Sequence, residues 1–139
     1  MDTEQFLEFV TRRGLAVVAT IGQEGEPQAA LVGVAVTTVG EIVFDTLTSS
    51  RKYRNISSNP RVALVVGWDD EVTPQCQGLA DLPLGEDLVR CQTAYFQQYP
   101  DGRQRSASPD IRHVRVRPGW LRYSDYRPGS FTIEEFGLA

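Results

Sequence analysis

The sequence predicts a mainly β protein in which an antiparallel barrel of six or seven strands is covered by helices. Runs rich in valine, leucine and alanine follow one another along the chain, separated by short turns. Only two helical segments interrupt this series. Parallel strands need a long crossover after each strand, so this order favours antiparallel pairing. A length of 139 residues suffices for one core, and we expect a single domain over residues 1–139.

The first half of the chain begins with an amphipathic helix. Apolar residues between Thr3 and Arg13 fall close to one helical face, with Asp2 or Thr3 as the candidate cap and Gly14 as the stop. The turn GQEGEP then joins two strands as a hairpin, and a polar helical segment near Ser49 precedes the last strand of this half. The predicted strands are residues 15–21, 28–38, 41–46 and 61–68.

The second half contains a fifth strand from Gln75 to Leu82 and a helix of about four turns whose apolar residues recur from Leu84 to Tyr99. The polar run at residues 102–110 is interpreted as a plain connection, or alternatively as a loop that closes over a ligand. Two more strands are predicted at residues 111–118 and 119–126, and the tail at residues 131–136 needs a surface to pack on.

Composition disfavours several classes of partner. A net charge of −4 and a pI near 5.0 lack the basic field that binds nucleic acid. No apolar stretch approaches the roughly 20 residues that cross a bilayer, and the first residues lack the order of a secretory signal, so we expect a cytoplasmic protein. Cys76 and Cys91 lack the CxxC spacing of a zinc site and are interpreted as small buried hydrophobic residues.

Hydrolytic and metal chemistry are excluded because the sequence has one histidine and lacks the usual motifs. His113 is the single histidine, so neither a histidine-pair metal site nor an HExxH motif exists. The sequence also lacks a GxSxG motif. Because it lies in a strand beside arginines, His113 is predicted to be a surface residue rather than a catalyst. No GxGxxG and no Walker-type loop is present either.

The segment FDTLTSSRKYRNISSNPRVALVV, residues 44–66, carries the chemistry. Ser49 or Ser50 would cap a short helix whose first turn holds Arg51 and Lys52. Cations at a helix N-terminus are disfavoured by the dipole, so this pair favours a phosphate cradle made with the helix amides. An alternative of about equal weight is that the pair is a solvated basic turn that balances nearby Asp69 and Asp70.

The same segment resembles the pyridoxamine 5'-phosphate oxidase family, whose pattern is an aromatic-x-Thr strand end, Ser-Arg-Lys and Asn-Pro-Arg-Val. The match is ungapped from Phe44 to about Trp68 and looser elsewhere. This resemblance implies a split β-barrel that forms a homodimer and holds FMN in a groove between subunits.

By that resemblance Arg51 and Lys52 bind the flavin phosphate, with Ser50 beside them, and Asp45 and Thr46 lie near the ribityl chain. The second strand would offer backbone groups to the isoalloxazine ring. Its residues there include Val32 and Gly33. A glutamine of the fifth strand would also reach the flavin. Gln75 is the candidate, with Thr73 or Gln77 as alternatives.

Two departures from the family pattern bear on function. Ala30 stands where the oxidases place an arginine, which removes one phosphate contact. The Arg-x-His segment that holds the pyridoxal ring is missing near the end of the sequence. The resemblance therefore implies a minimal flavin-binding relative for which pyridoxamine 5'-phosphate is not the substrate.

Three functions remain open at this point, two of them enzymes and the third a binding module. The first is an FMN-dependent oxidoreductase that transfers hydride to or from a small molecule. The second is a deazaflavin-dependent reductase on the same barrel, because that coenzyme also presents a phosphate. The third is a module that stores or senses flavin or haem without turnover. Haem is disfavoured because axial ligands are scarce.

Overall fold

The computed structural model describes residues 2–67 and 69–137. These residues form eight strands and four helices. The strands are β1 Leu15–Ile21, β2 Pro27–Gly33, β3 Ala35–Val36, β4 Ile42–Leu47, β5 Arg61–Val66, β6 Val72–Asp81, β7 Ile111–Asp125 and β8 Thr132–Gly137. The helices are α1 Thr3–Arg13, α2 Arg51–Ser58, α3 Gly85–Gln98 and α4 Gly102–Arg105.

The strands form one antiparallel sheet in the order β2-β1-β5-β6-β7-β4-β3, with β8 paired to the second half of β7. The sheet curls until β2 approaches β4, which produces a half-barrel. The predicted mainly β split barrel with covering helices is confirmed. The number of strands is eight rather than six or seven.

The interior of the curled sheet is filled by alternate strand residues, such as Ala16 and Val18 of β1, which are buried. Helix α1 covers this core with one buried face, which includes Phe6. Its start is fixed by a capping box in which Asp2 and Gln5 bond each other's backbone amides at 2.8–2.9 Å. Among the described residues, no helix is long and apolar enough to span a membrane.

The predicted strand at residues 28–38 is divided in two. The Val34 amide leaves the β1–β2 ladder and donates to the Gly14 carbonyl at 2.8 Å. Gly14 has the left-handed φ of 66° that ends α1, and its own amide donates to the Val10 carbonyl. The end of the helix and the break in the strand therefore meet at one residue. The chain then turns into β3, which pairs with β4.

The division of residues 111–126 into two strands is wrong, because β7 runs unbroken over 15 residues. It pairs along its first part with β4 and along its second part with β8. Pro118 is accommodated where the register with β6 shifts between Gln77 and Gly78. The tail that needed a packing surface is the strand β8.

A network of ion pairs fastens α3 to the sheet. The buried Glu41 carboxylate accepts from both Arg90, at 2.8 and 2.9 Å, and Arg115, at 3.0 Å. Arg115 in turn donates twice to Asp81 at 2.8 Å. The hydrogen bonds from Arg90 lower the pKa of Glu41 despite its burial. Both cysteines are free and buried as predicted, and burial raises the pKa of Cys76 to about 12.

Candidate functional site

The predicted phosphate cradle lies where β4 ends and α2 begins. Ser50 is the N-cap of α2, and its hydroxyl accepts from the Tyr53 amide at 3.2 Å. The Thr46 hydroxyl lies 2.8 Å from that of Ser50. This contact joins the end of β4 to the start of α2, so the two hydroxyl groups and the first amides of α2 are held together.

Arg51 and Lys52 follow the cap, and both line a pocket of about 360 Å³ against the β1–β2 hairpin. Neither side chain has an ion pair or hydrogen bond with a described residue. The pocket is lined by Val18, Thr20, Gln28, Ala29, Ala30, Arg51 and Lys52. The site therefore combines two unpaired cations with small side chains that leave room beside them.

The interpretation of this pair as a basic turn balanced by acidic residues is wrong for the two carboxylates proposed. Asp69 and Asp70 are bound to Arg13, at 2.8 and 3.1 Å. Two uncompensated cations in the first turn of a helix are unfavourable beside the positive end of its dipole. An anion in the pocket would remove that cost, and a phosphate monoester matches the guanidinium, the ammonium and the hydroxyl donors. The residues present therefore fit the phosphate of FMN.

A buried amide that the sequence pattern did not predict fixes α2 against the hairpin. The Asn55 side chain donates from Nδ2 to the Thr20 hydroxyl at 3.0 Å and to Gln28 Oε1 at 2.7 Å. Asn55 and Thr20 are both buried. The available signal was the polar Thr20 at an inward position of an apolar strand, because such a residue needs a hydrogen-bond partner.

Asp45 faces away from Thr46, as expected for neighbours in a strand. Its carboxylate accepts from the Tyr95 hydroxyl at 3.1 Å and from Arg105 at 3.3 Å. Because Arg105 belongs to α4, the polar run at residues 102–110 is tied to the sheet through this contact. Asp45 thus belongs to a cluster under α3 rather than to the Thr46–Ser50 contact.

His113 lies opposite Asp45 in the register of β4 and β7 and is buried, so its prediction as a surface residue is wrong. The rings of Tyr95 and Phe96 pack edge-on against it at 5.3 and 5.5 Å between centroids. Its Nε2 atom is buried with no hydrogen-bond partner among the described residues. Burial lowers the pKa of His113, and the nearby Asp45 only partly opposes this shift.

Val32 and Gly33 lie at the end of β2. The Val32 side chain is part of the main core, so only its backbone is available to a ligand. Gly33 is covered by the ring of Tyr99. Within the described part of the chain β2 pairs with β1 alone, and its other edge offers unpaired backbone groups.

Gln75 does not line the pocket of Arg51 and Lys52. It is half-buried on the outward face of the sheet, since its neighbours Pro74 and Cys76 are both buried. In the strand register it belongs to one row of outward-facing residues that crosses four strands from β2 to β6. This row is Leu31, Val17, Val65 and Gln75.

Comparisons with known proteins agree with this architecture. A family model described as pyridoxamine 5'-phosphate oxidase matches residues 2–125. No protein of curated function matches the sequence. A solved structure of a haem-binding protein from Mycobacterium smegmatis superposes with a TM-score of 0.84 at 16% identity, covering 99% of this chain but only 58% of that protein.

Two further solved structures are similar over most of their own length. HutZ, a haem storage protein from Vibrio cholerae, has a TM-score of 0.70 at 17% identity, covering 83% of this chain and 88% of its own. A putative pyridoxamine 5'-phosphate oxidase from Listeria innocua has a TM-score of 0.68 at 15% identity, covering 87% and 96%. At these identities the likeness shows the fold. Because the family model spans nearly all of the described residues, the chain belongs to the pyridoxamine 5'-phosphate oxidase family.

Proposed function

We propose that this protein binds FMN and acts as a flavin-dependent oxidoreductase on a small molecule. The observation that carries the proposal is the pair of unpartnered cations, Arg51 and Lys52, at the start of α2 beside an open pocket. A phosphate monoester is the ligand that neutralises both and also accepts from the helix amides.

In this proposal each residue has a defined role toward the cofactor. Arg51 and Lys52 bind the phosphate, and Ser50 and Thr46 hold the helix start in position. The backbone of β2 beyond Ala30 contacts the ring system. FMN itself supplies hydride transfer when it is bound, while the protein binds it, orients it and excludes water. None of these roles requires an acid or base from the chain.

We propose further that the protein is a homodimer, because its outward sheet face exposes apolar side chains. Leu15 of β1, Leu31 of β2 and Leu79 of β6 are 42–59% exposed. An apolar face of this kind favours self-association. Gln75 lies in the same face, in register with Val65, so its contact with FMN depends on this dimer.

The test is the absorption spectrum of the purified protein, followed by release of the bound molecule and measurement of its mass. We expect a band near 450 nm, as oxidised flavins show, and the mass of FMN. Sedimentation at micromolar concentration, with and without FMN, tests the dimer. A released molecule with the mass of a deazaflavin would replace FMN as the proposed cofactor. A protein that binds FMN tightly as a monomer would contradict the proposed homodimer.

A second candidate is haem binding, which is favoured by the fold likeness to the haem-binding protein of M. smegmatis and to HutZ. Against it, the single histidine is buried beneath aromatic rings, so it offers no ready axial ligand. Titration with hemin decides between the two candidates. An intense band near 400 nm at one haem per chain, with no retention of FMN, would favour the haem module over the flavoprotein.

A further inference from the structure

Gln28 occupies a position on β2 that points to a role in phosphate binding. It is half-buried and lines the pocket together with Arg51 and Lys52. Its Oε1 atom accepts the 2.7 Å hydrogen bond from Asn55 Nδ2. Asn55 uses its other amide hydrogen on Thr20, so one buried amide fixes the orientation of two pocket residues.

The consequence is that the donor group of Gln28 is left free. An amide that presents its oxygen to Asn55 keeps both hydrogens of Nε2 for another acceptor. Among the described residues none accepts from Gln28 Nε2. The Thr20 hydroxyl also accepts from Asn55, which leaves its own hydrogen available. Two neutral donors therefore border the same pocket as the two cations.

We propose that Gln28 is a third phosphate-binding residue and donates from Nε2 to the phosphate monoester held by Arg51 and Lys52. This inference rests on the proposed function. Gln28 and Ala30 lie two residues apart in β2 and hence on the same face of the strand. Ala30 is the position where the family resemblance implies an arginine. A neutral donor thus contributes on the face that lacks that guanidinium.

This arrangement sets the charge of the site. With Gln28 neutral, the pocket carries the two positive charges of Arg51 and Lys52, which match a phosphate dianion without a surplus. The neutral amide adds a directed hydrogen bond rather than further attraction at long range. Its contribution should therefore depend on the presence of the phosphate group and not on the ring system of the ligand.

The experiment compares binding of FMN and riboflavin to three variants by fluorescence titration. Gln28→Met keeps the size of the side chain and removes both the donor and the oxygen that accepts from Asn55. Gln28→Glu keeps the acceptor for Asn55, so the hairpin–helix bond survives while the donor is lost. Gln23→Met is the matched control, because Gln23 donates to Ser58 at the far end of the same helix, at 3.0 Å, and does not line the pocket.

We expect Gln28→Met to weaken FMN binding about tenfold, the usual effect of one hydrogen bond to a charged group, and Gln28→Glu to weaken it further through repulsion. Riboflavin affinity should change by less than about twofold in both Gln28 variants, and Gln23→Met should match the parent for both ligands.

Equal FMN affinity in the parent and both Gln28 variants, with a clear loss in Arg51→Ala, would overturn the role of Gln28 and leave the proposed function standing. A parent protein that does not bind FMN overturns the proposed function as well. Parallel loss of FMN and riboflavin would show a structural effect and also reject the inference.

Discussion

The ring of Tyr99 lies directly on Gly33, at the end of β2. A Cβ atom at Gly33 would fall 2.9 Å from Cζ of Tyr99, closer than side-chain packing permits. The Tyr99 hydroxyl donates to the carbonyl of Gly14, the same carbonyl that binds the Val34 amide. The end of α3 is thus seated on the junction of α1, β1 and β2, and a glycine at position 33 is required by close approach.

Replacing Gly33 by alanine should destabilise the protein by about 1–3 kcal/mol, because the added methyl group must displace the Tyr99 ring. Urea unfolding measures the change. Gly119→Ala is the matched control, since a Cβ there meets no atom within 4 Å, and it should leave stability within about 0.5 kcal/mol of the parent. If the two variants are equally stable, the contact between Gly33 and Tyr99 does not constrain the fold.

Arg51→Ala and Lys52→Ala should each weaken FMN binding by about 1.5–3 kcal/mol while changing riboflavin binding little, because the lost bonds go to the phosphate. Arg54→Ala removes the same charge from the same helix, at an exposed residue outside the pocket. It serves as the control in calorimetric titrations with both ligands. Equal effects of Arg51→Ala and Arg54→Ala would mean that only the general charge of the helix matters.

Glu41→Gln should cost about 3 kcal/mol of folding free energy, since it removes the carboxylate that pairs with the guanidinium groups of Arg90 and Arg115. The comparison is Asp69→Asn, which breaks an ion pair whose carboxylate is 61% exposed and should cost less than about 1 kcal/mol. Chemical denaturation of both variants at neutral pH gives the two values. A cost for Glu41→Gln as small as that of Asp69→Asn would show that the ion pairs of Glu41 with Arg90 and Arg115 contribute no more stability than an exposed pair.

Stability should fall as the pH is lowered from 7 towards 5. Burial lowers the pKa of His113 in the folded protein, so the unfolded chain takes up the proton first, below a pKa of about 6.5. The contribution is fully present above that value and is lost as pH falls toward the folded pKa, with a slope of at most about 1.4 kcal/mol per pH unit.

Denaturation curves at several pH values test this dependence in the parent and in His113→Phe. Because His113 is the single histidine, the variant should lose most of the slope between pH 7 and 5.5, whatever its absolute stability. An unchanged slope in His113→Phe would assign the pH dependence to other groups.

The sequence by itself determined the order of the main elements and the place of Ser50, Arg51 and Lys52 at the start of α2. Alternating apolar residues, capping residues and turn glycines act over a few neighbouring positions, and these local patterns predicted α1, β1, α2 and β5 closely. Ser50, Arg51 and Lys52 were predicted for the same reason, since a helix cap and its first turn form one short segment. The continuous β7 was missed because Pro118 and Gly119 read as a break, while pairing with β6 keeps the strand intact.

Only the tertiary structure decided which distant residues meet. The bonds from Asn55 to Gln28 and Thr20 span 27 and 35 residues, and the ion pair of Glu41 with Arg115 spans 74. No local pattern encodes such contacts, because they depend on how the sheet curls and which strands it brings together. His113 shows the same limit, since its arginine neighbours suggested exposure, whereas packing under Tyr95 and Phe96 buries it. The sheet register decides which of these polar side chains are enclosed, and burial then dictates their partners and their protonation.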